Sequence, residues 1–539
     1  MIRFLTGGIA LAWLLVASGC GKRQTIVAGS LATQTLHLGN AEEPASLDPQ
    51  INTMMAEWEV LTALFEGLTN IANDGVTILP GIAERWDIAA DGLTYTFHLR
   101  KNAKWSNGDP LITRDLIASY RRMLDPKVAQ MSPAIIDCVV GAKEYYAGRS
   151  QDFNSVGVKA LDDFTLEFRL LYRAPYFLVS VSNSAAWGMP VHIPSVTEHG
   201  GMERRDGKWT APGRLIGNGP FVLKEWRQNQ HISVVRNEHY WDAKRVRLRE
   251  VRFYPISNSA AEEQAYRAGQ FHVTWDIPIS KFDTYQRERS TELQRAPILE
   301  TSMIVLNCSR APFSNPDVRR AFARAIDRKV VTTTATRGRS ETAHSLTRPR
   351  TGNFSPPAMP GVDVTEAQRL LAKAGFAQGK GFPKVRMSIG TDSSDALATA
   401  QTLQQMWKLA LGIDVEIAPM EAKVMLASLQ AHDFDLCAMG HFYALDDPID
   451  PLMRGKSGYH GNHSGWSEPR FDALLARLEQ VRSDAERIAI FTEAEQLIAQ
   501  EAPYIPLYYL DRVHLMHPTV KGWKGNRFAI IDWRELWLE

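Results

Sequence analysis

At 539 residues the chain exceeds the size at which one hydrophobic core keeps growing, so two or three domains are expected. Apolar residues at 45% and charged residues at 22% exclude intrinsic disorder and a multi-span membrane protein. The 61 lysines and arginines nearly cancel the 60 aspartates and glutamates, so no global field draws in nucleic acid and any partner must be recognised locally.

Arg3 gives a positive start, Ile9 to Val16 is a short apolar run, and Ala17, Ser18 and Gly19 precede Cys20. This is a secretory signal over residues 1–19, too short to remain as a spanning helix. A cysteine after a small-residue triplet resembles the lipobox of bacterial lipoproteins, with Ala17 where leucine is commonest. The resemblance implies lipid on Cys20 and an extracytoplasmic protein, periplasmic or on the cell surface, anchored to a membrane without crossing it. The alternative is ordinary cleavage nearby with a free cysteine. Residues 20–33 read as a short polar tether. Cys138, Cys308 and Cys437 then allow at most one disulfide and compel none.

The folded body starts with a strand at Thr35–Gly39, read from its alternation. Helical spacing over Glu57–Phe65 follows, stopping at Gly67. Leu93–Arg100 alternates as a half-buried strand before a turn at Ser106–Pro110, and Thr113 is placed to cap a helix through Met123. Phe221–Trp226 and Ile232–Arg236 read as paired strands, Val318–Ile326 and Thr365–Ala374 as helices. Ala400–Leu411 is a helix stopped by Gly412 and followed by a strand at Asp414–Ile417. Helices interleaved with strands predict mixed α/β lobes.

Several segments together resemble the peptide and nickel class of bacterial solute-binding proteins, which contains the oligopeptide- and dipeptide-binding proteins. They are EEPASLDP (Glu42 to Pro49), LFEGL (Leu64 to Leu68), PGIAERWDIAADGLTYTFHLRKNAKWSNGDP (Pro80 to Pro110), GNGPFVLKEW (Gly217 to Trp226), RNEHYWD (Arg236 to Asp242), APFSNPDVRRAFARAIDR (Ala311 to Arg328) and EAPYIPLYY (Glu501 to Tyr509). The resemblance implies a two-lobed periplasmic-binding-protein fold with three domains joined by a hinge. Domain I would collect residues 34–70, 191–300 and 506–539, domain II residues 71–190, and domain III residues 301–505. It also implies a monomer that captures a peptide or other small solute by hinge closure and serves an ABC permease, with no catalytic residue and no cofactor.

In peptide-binding members an aspartate in a G-W-x-x-D-x-x-[DE]-P pattern meets the ligand's ammonium. The matching stretch here runs from Gly440 to Pro448 and puts His441 at the tryptophan and Ala444 at the aspartate. An ammonium desolvated without a counter-charge loses several kcal/mol. Either Asp446 or Asp447 takes over, or the ligand lacks that amine. A basic residue that meets the ligand carboxylate in relatives falls near Ala438, also neutral. Peptide backbone held in the manner of an added strand needs no particular side chain, and Glu57-Trp58-Glu59 and the backbone around Phe442 are the candidates. Trp58, Tyr443, Tyr508 and Tyr509 could wall a pocket for apolar ligand parts or belong to core and hinge packing.

Three rival readings carry less. His432, Cys437, His441, Asp446, His460 and His463 crowd one span, but on a loop marked by Gly461 and Asn462, so no metal site is assigned. No G-x-S-x-G elbow, H-E-x-x-H or P-loop supports a hydrolase. A sensory receptor on the same fold stays open.

Overall fold

The computed structural model describes residues 25–51, 55–128, 138–182, 188–205, 207–289, 291–391, 395–481 and 483–539. The signal segment, Cys20 and the first residues of the expected tether lie outside them. Residues 26–33, expected as part of that tether, instead form a helix, Ile26–Thr33. The Thr25 hydroxyl accepts the Ala28 N–H at 3.2 Å and so caps it, and Val27 and Ser30 are buried against the body.

The first lobe holds two four-stranded sheets. One is ordered Thr35–Gly39, Glu250–Tyr254, His231–Arg236, Phe221–Arg227; its first pair is parallel and the others antiparallel. Leu36, Leu38, Phe221, Val234 and Phe253 bury one face of it against Leu61, Leu64, Phe65 and Trp533. The GNGPF motif serves that packing. A Cβ on Gly217 would lie 2.1 Å from the Leu64 carbonyl oxygen, while Asn218 takes the Glu66 N–H at 3.1 Å and returns a bond to its carbonyl at 2.9 Å. The second sheet is antiparallel, ordered Ala83–Ile88, Thr94–Leu99, Thr165–Arg169, Val158–Asp162, over a core of Phe97, Trp105, Tyr120, Phe168 and Phe177. The helix Thr113–Met123 packs there, but Thr113 does not cap it: its hydroxyl donates to Asp162, and Asp115 takes the Ile112 N–H instead.

The second lobe is built on a six-stranded mixed sheet in the order Glu341–Thr342, Tyr504–Leu515, Leu293–Leu306, Leu436–Phe442, Val385–Gly390, Val415–Met420. Helices Pro316–Arg324, Val364–Lys373 and Ala396–Leu411 cover one face and bury Phe322, Leu371, Leu403 and Trp407.

Two strands belong to both lobes. Leu293–Pro297 pairs with Asp511–Leu515, and Thr301–Val305 pairs with Tyr504–Tyr509, with the register broken between Pro297 and Thr301. The outer part packs with Tyr266, Ile277, Phe282 and Tyr285 of the first lobe, the inner part with the second-lobe core. Arg348 brackets the break: it donates to Ile298 O at 2.8 Å, Leu510 O at 2.6 Å and Asp511 Oδ1 at 3.1 Å.

Candidate functional site

The crossing strands bring the two lobes face to face, and charged pairs span the boundary. Asp276, close to the first-lobe sheet through Val273, meets Arg339 of the second lobe at 2.8 Å, and Asp283 meets Arg337 at 3.1 Å. At the other end, Arg487 lies 5.9 Å from the ring of Tyr176. On the first-lobe side Arg512 sits over Trp275 at 5.0 Å and contacts the Glu59 carboxylate. Burial raises the Glu59 pKa against that arginine.

The strand Leu436–Phe442 reaches this boundary with one edge open. It pairs through Phe442 with Glu300 on the crossing strand, but its pairing with the strand Val385–Gly390 stops at Ala438 and Ile389. Beyond Ala438 that second edge has no strand partner among the described residues. Gly440 leaves room there for the Glu300 side chain, whose Oε1 would lie 2.1 Å from a Cβ at that position.

The segment after the strand carries the expected site, with its parts redistributed. Asp446 pairs with Arg527 at 2.7 Å and takes the Gly352 N–H at 2.9 Å. Asp447 pairs with Arg487 at 2.7 Å and caps the Ile449 N–H at 3.0 Å. Both expected replacements for the missing aspartate are therefore already neutralised by arginines. The carboxylate at the Ala444 position is that of Asp450: it takes the Leu445 N–H at 3.0 Å and a further bond from the Ala444 backbone. Its other oxygen lies 3.5 Å from His441 Nε2, and no arginine or lysine pairs with it among the described residues. Burial without a paired cation pushes its pKa up to about 6. Nearby, His441 Nε2, Arg454 Nε and His463 Nδ1 are buried without a hydrogen-bond partner among the described residues, and burial holds both imidazoles neutral.

The other expected residues divide. Glu57, Trp58 and Glu59 lie in the helix Met55–Leu64, so their backbone offers no strand edge, which corrects that expectation. Glu57 takes the Ala45 and Ser46 N–H groups at 2.9 and 3.2 Å, while Trp58 Nε1 is buried without a partner. Tyr443 is fully buried, donating to Leu346 O at 2.6 Å, and Tyr509 bonds Ser345 Oγ at 2.6 Å. Tyr508 lies in the second-lobe core, 3.3 Å from Thr399 Oγ1. These tyrosines are packing groups rather than an open wall. Phe442 and Ala444 are half-buried at the open edge. Among the described residues no three histidines, cysteines or carboxylates are placed to hold a metal, and Cys138, Cys308 and Cys437 are joined in no disulfide.

Residues 77–463 match the model of the bacterial extracellular solute-binding proteins, family 5 Middle. The chain is 30% identical over 513 residues to the dipeptide-binding protein DppE of Bacillus subtilis, covering 93% of this chain and 91% of that one. It is 31% identical over 501 residues to the probable deoxycholate-binding periplasmic protein YgiS of Escherichia coli, covering 91% and 90%. Among solved structures, Haemophilus influenzae OppA in complex with RPPGFSPFR superposes with a TM-score of 0.84 at 26% identity, over 94% of this chain and 99% of that one. The unliganded open form of the murein tripeptide binding protein MppA gives 0.69 at 30% identity, over 96% and 99%. The fold is thus the two-lobed, mixed α/β binding-protein fold, and the higher score against the peptide complex agrees with the bridges that join the lobes here.

Proposed function

The chain belongs to the bacterial extracellular solute-binding proteins of family 5, and from that premise we propose that it captures peptides between its lobes outside the cytoplasm and delivers them to an ABC importer. The family is one of substrate-binding proteins, not enzymes. The observation that carries the reading is the open edge beyond Ala438 ending beside an unpaired carboxylate, that of Asp450. An extended peptide adds to that edge through its main chain. Its ammonium replaces the cation that Asp450 lacks, in the place where the sequence has Ala444. Hinge closure about the crossing strands then encloses the ligand, which favours the closed state by its differential affinity.

The protein acts as a monomer held at the membrane by lipid on Cys20. A second reading, a non-peptide solute, is supported by the neutral Ala438 and Ala444 and by the likeness to a probable deoxycholate-binding protein. Native mass spectrometry of protein purified without denaturation from its host separates the two. A mixture of short peptides is expected; a single non-peptide compound would overturn the peptide assignment.

A further inference from the structure

Away from the cleft, three segments meet where the described chain begins. The helix Ile26–Thr33 ends on Gln34, whose carbonyl takes the Arg249 N–H at 2.9 Å. The Gln34 side-chain amide exchanges bonds with the Leu538 backbone at 2.9 and 3.1 Å. Arg247 stacks over Trp537 at 3.4 Å from the ring centre. The N-terminal helix, residues 244–249 and the C-terminal strand therefore form one continuous surface of the first lobe.

Its chemistry is basic. In KRVRLR (Lys244 to Arg249), Val246 and Leu248 are buried in the first-lobe core, which leaves Lys244, Arg245, Arg247 and Arg249 exposed. Arg245 pairs with Asp242 at 3.2 Å and with Glu535, whereas Lys244, Arg247 and Arg249 have no ion pair among the described residues. Glu539 is the other acid here, taking the Trp537 indole N–H at 2.9 Å. Exposed cations without an acidic partner draw a surface to anionic lipid.

We propose that this surface docks on an anionic bilayer, with Lys244, Arg247 and Arg249 over the lipid phosphates. The proposal rests on the anchoring reading. Thr25 is the fifth residue after Cys20, and five extended residues reach at most about 18 Å. A lipid on Cys20 would thus keep this face of the first lobe near the membrane, and Lys22 and Arg23 between them add two more positive charges. Docked this way, the first lobe is fixed and the second is left free to open and close.

The test is co-sedimentation of the chain carrying Cys20→Ser, which has no lipid, with vesicles of phosphatidylglycerol in phosphatidylcholine and with phosphatidylcholine alone. Association with the anionic vesicles only, weakened by high salt, is expected. Arg247→Glu with Arg249→Glu should lower it at least about tenfold, with the unfolding temperature of the variant checked against the parent. Absence of association, or association unchanged in that variant, overturns the docking surface. The anchor is judged separately, by the mass of the native N-terminus: an unmodified Cys20 refutes the anchoring reading whatever the vesicles show.

Discussion

The bend of the crossing strands and the lip of the cleft treat buried charge in opposite ways. At the bend, Arg348 is enclosed yet fully engaged, donating to Ile298 O, Leu510 O and Asp511, whose second oxygen accepts from Arg295 at 2.6 Å. At the lip, among the described residues, Asp450 has no paired cation, and His441 Nε2, Arg454 Nε and His463 Nδ1 have no hydrogen-bond partner. A completed network holds a scaffold in one arrangement, while an incomplete one has polar capacity for a group from outside.

The contrast breaks most readily at the bend. Arg348→Ala leaves two carbonyls without their donor and Asp511 with Arg295 alone, and a loss of about 2 to 4 kcal/mol is expected. Denaturant unfolding reads it directly, and a loss under about 0.5 kcal/mol would remove the bend from the scaffold. At the lip the sign reverses. The Asp450 pKa is raised in the folded chain from 3.8 to about 6, so the folded state favours the protonated acid. The contribution of this group to stability is then most favourable below pH 3.8 and is lost as pH rises through 6, by about 3 kcal/mol in all. Asp450→Asn should therefore stabilise the unliganded protein at neutral pH, by an amount set by how much of that penalty Arg454 already offsets.

The same charge governs ligand affinity. Binding of a free-amine peptide should be strongest near pH 7, weaken about tenfold by pH 5 as Asp450 takes up a proton, and weaken again above about pH 8 as the peptide amine loses its own; a profile that does not change between pH 7 and 5 argues for another counter-charge. The smallest effect is expected from Ala444→Asp, which adds a like charge beside Asp450 and should change affinity less than about threefold. Combined with Asp450→Asn the same substitution should restore amine binding, and failure of that rescue would show that the two positions are not equivalent.

The sequence carried the interleaving of helices and strands, and segments such as GNGPF mark scaffold contacts that only glycine permits. The strand that bears the site was legible from its likeness to the family. The identity of the counter-charge was not. Asp446 and Asp447 look available in D-D-P because their arginine partners lie 81 and 40 residues further along, at Arg527 and Arg487. Asp450 looks like a first-turn helix residue, and nothing in I-D-P announces that its carboxylate folds back onto the backbone of residues 444 and 445. Glu57-Trp58-Glu59 was read both as the start of a helix and as a strand edge, and the helix prevails because all three side chains are buried on it. The residues before Ile26 gave no hint of a helix behind them, since Thr25 caps a segment with little periodicity.

Peptide capture as described requires Asp450 to receive the ligand's amine. Calorimetric titration of one tetrapeptide, free and N-acetylated, into the parent chain and Asp450→Asn tests this. The parent should prefer the free peptide by at least about tenfold, as loss of one charge-assisted pair implies, and the variant should bind both alike. A preference for the free amine that survives in Asp450→Asn would contradict the central claim.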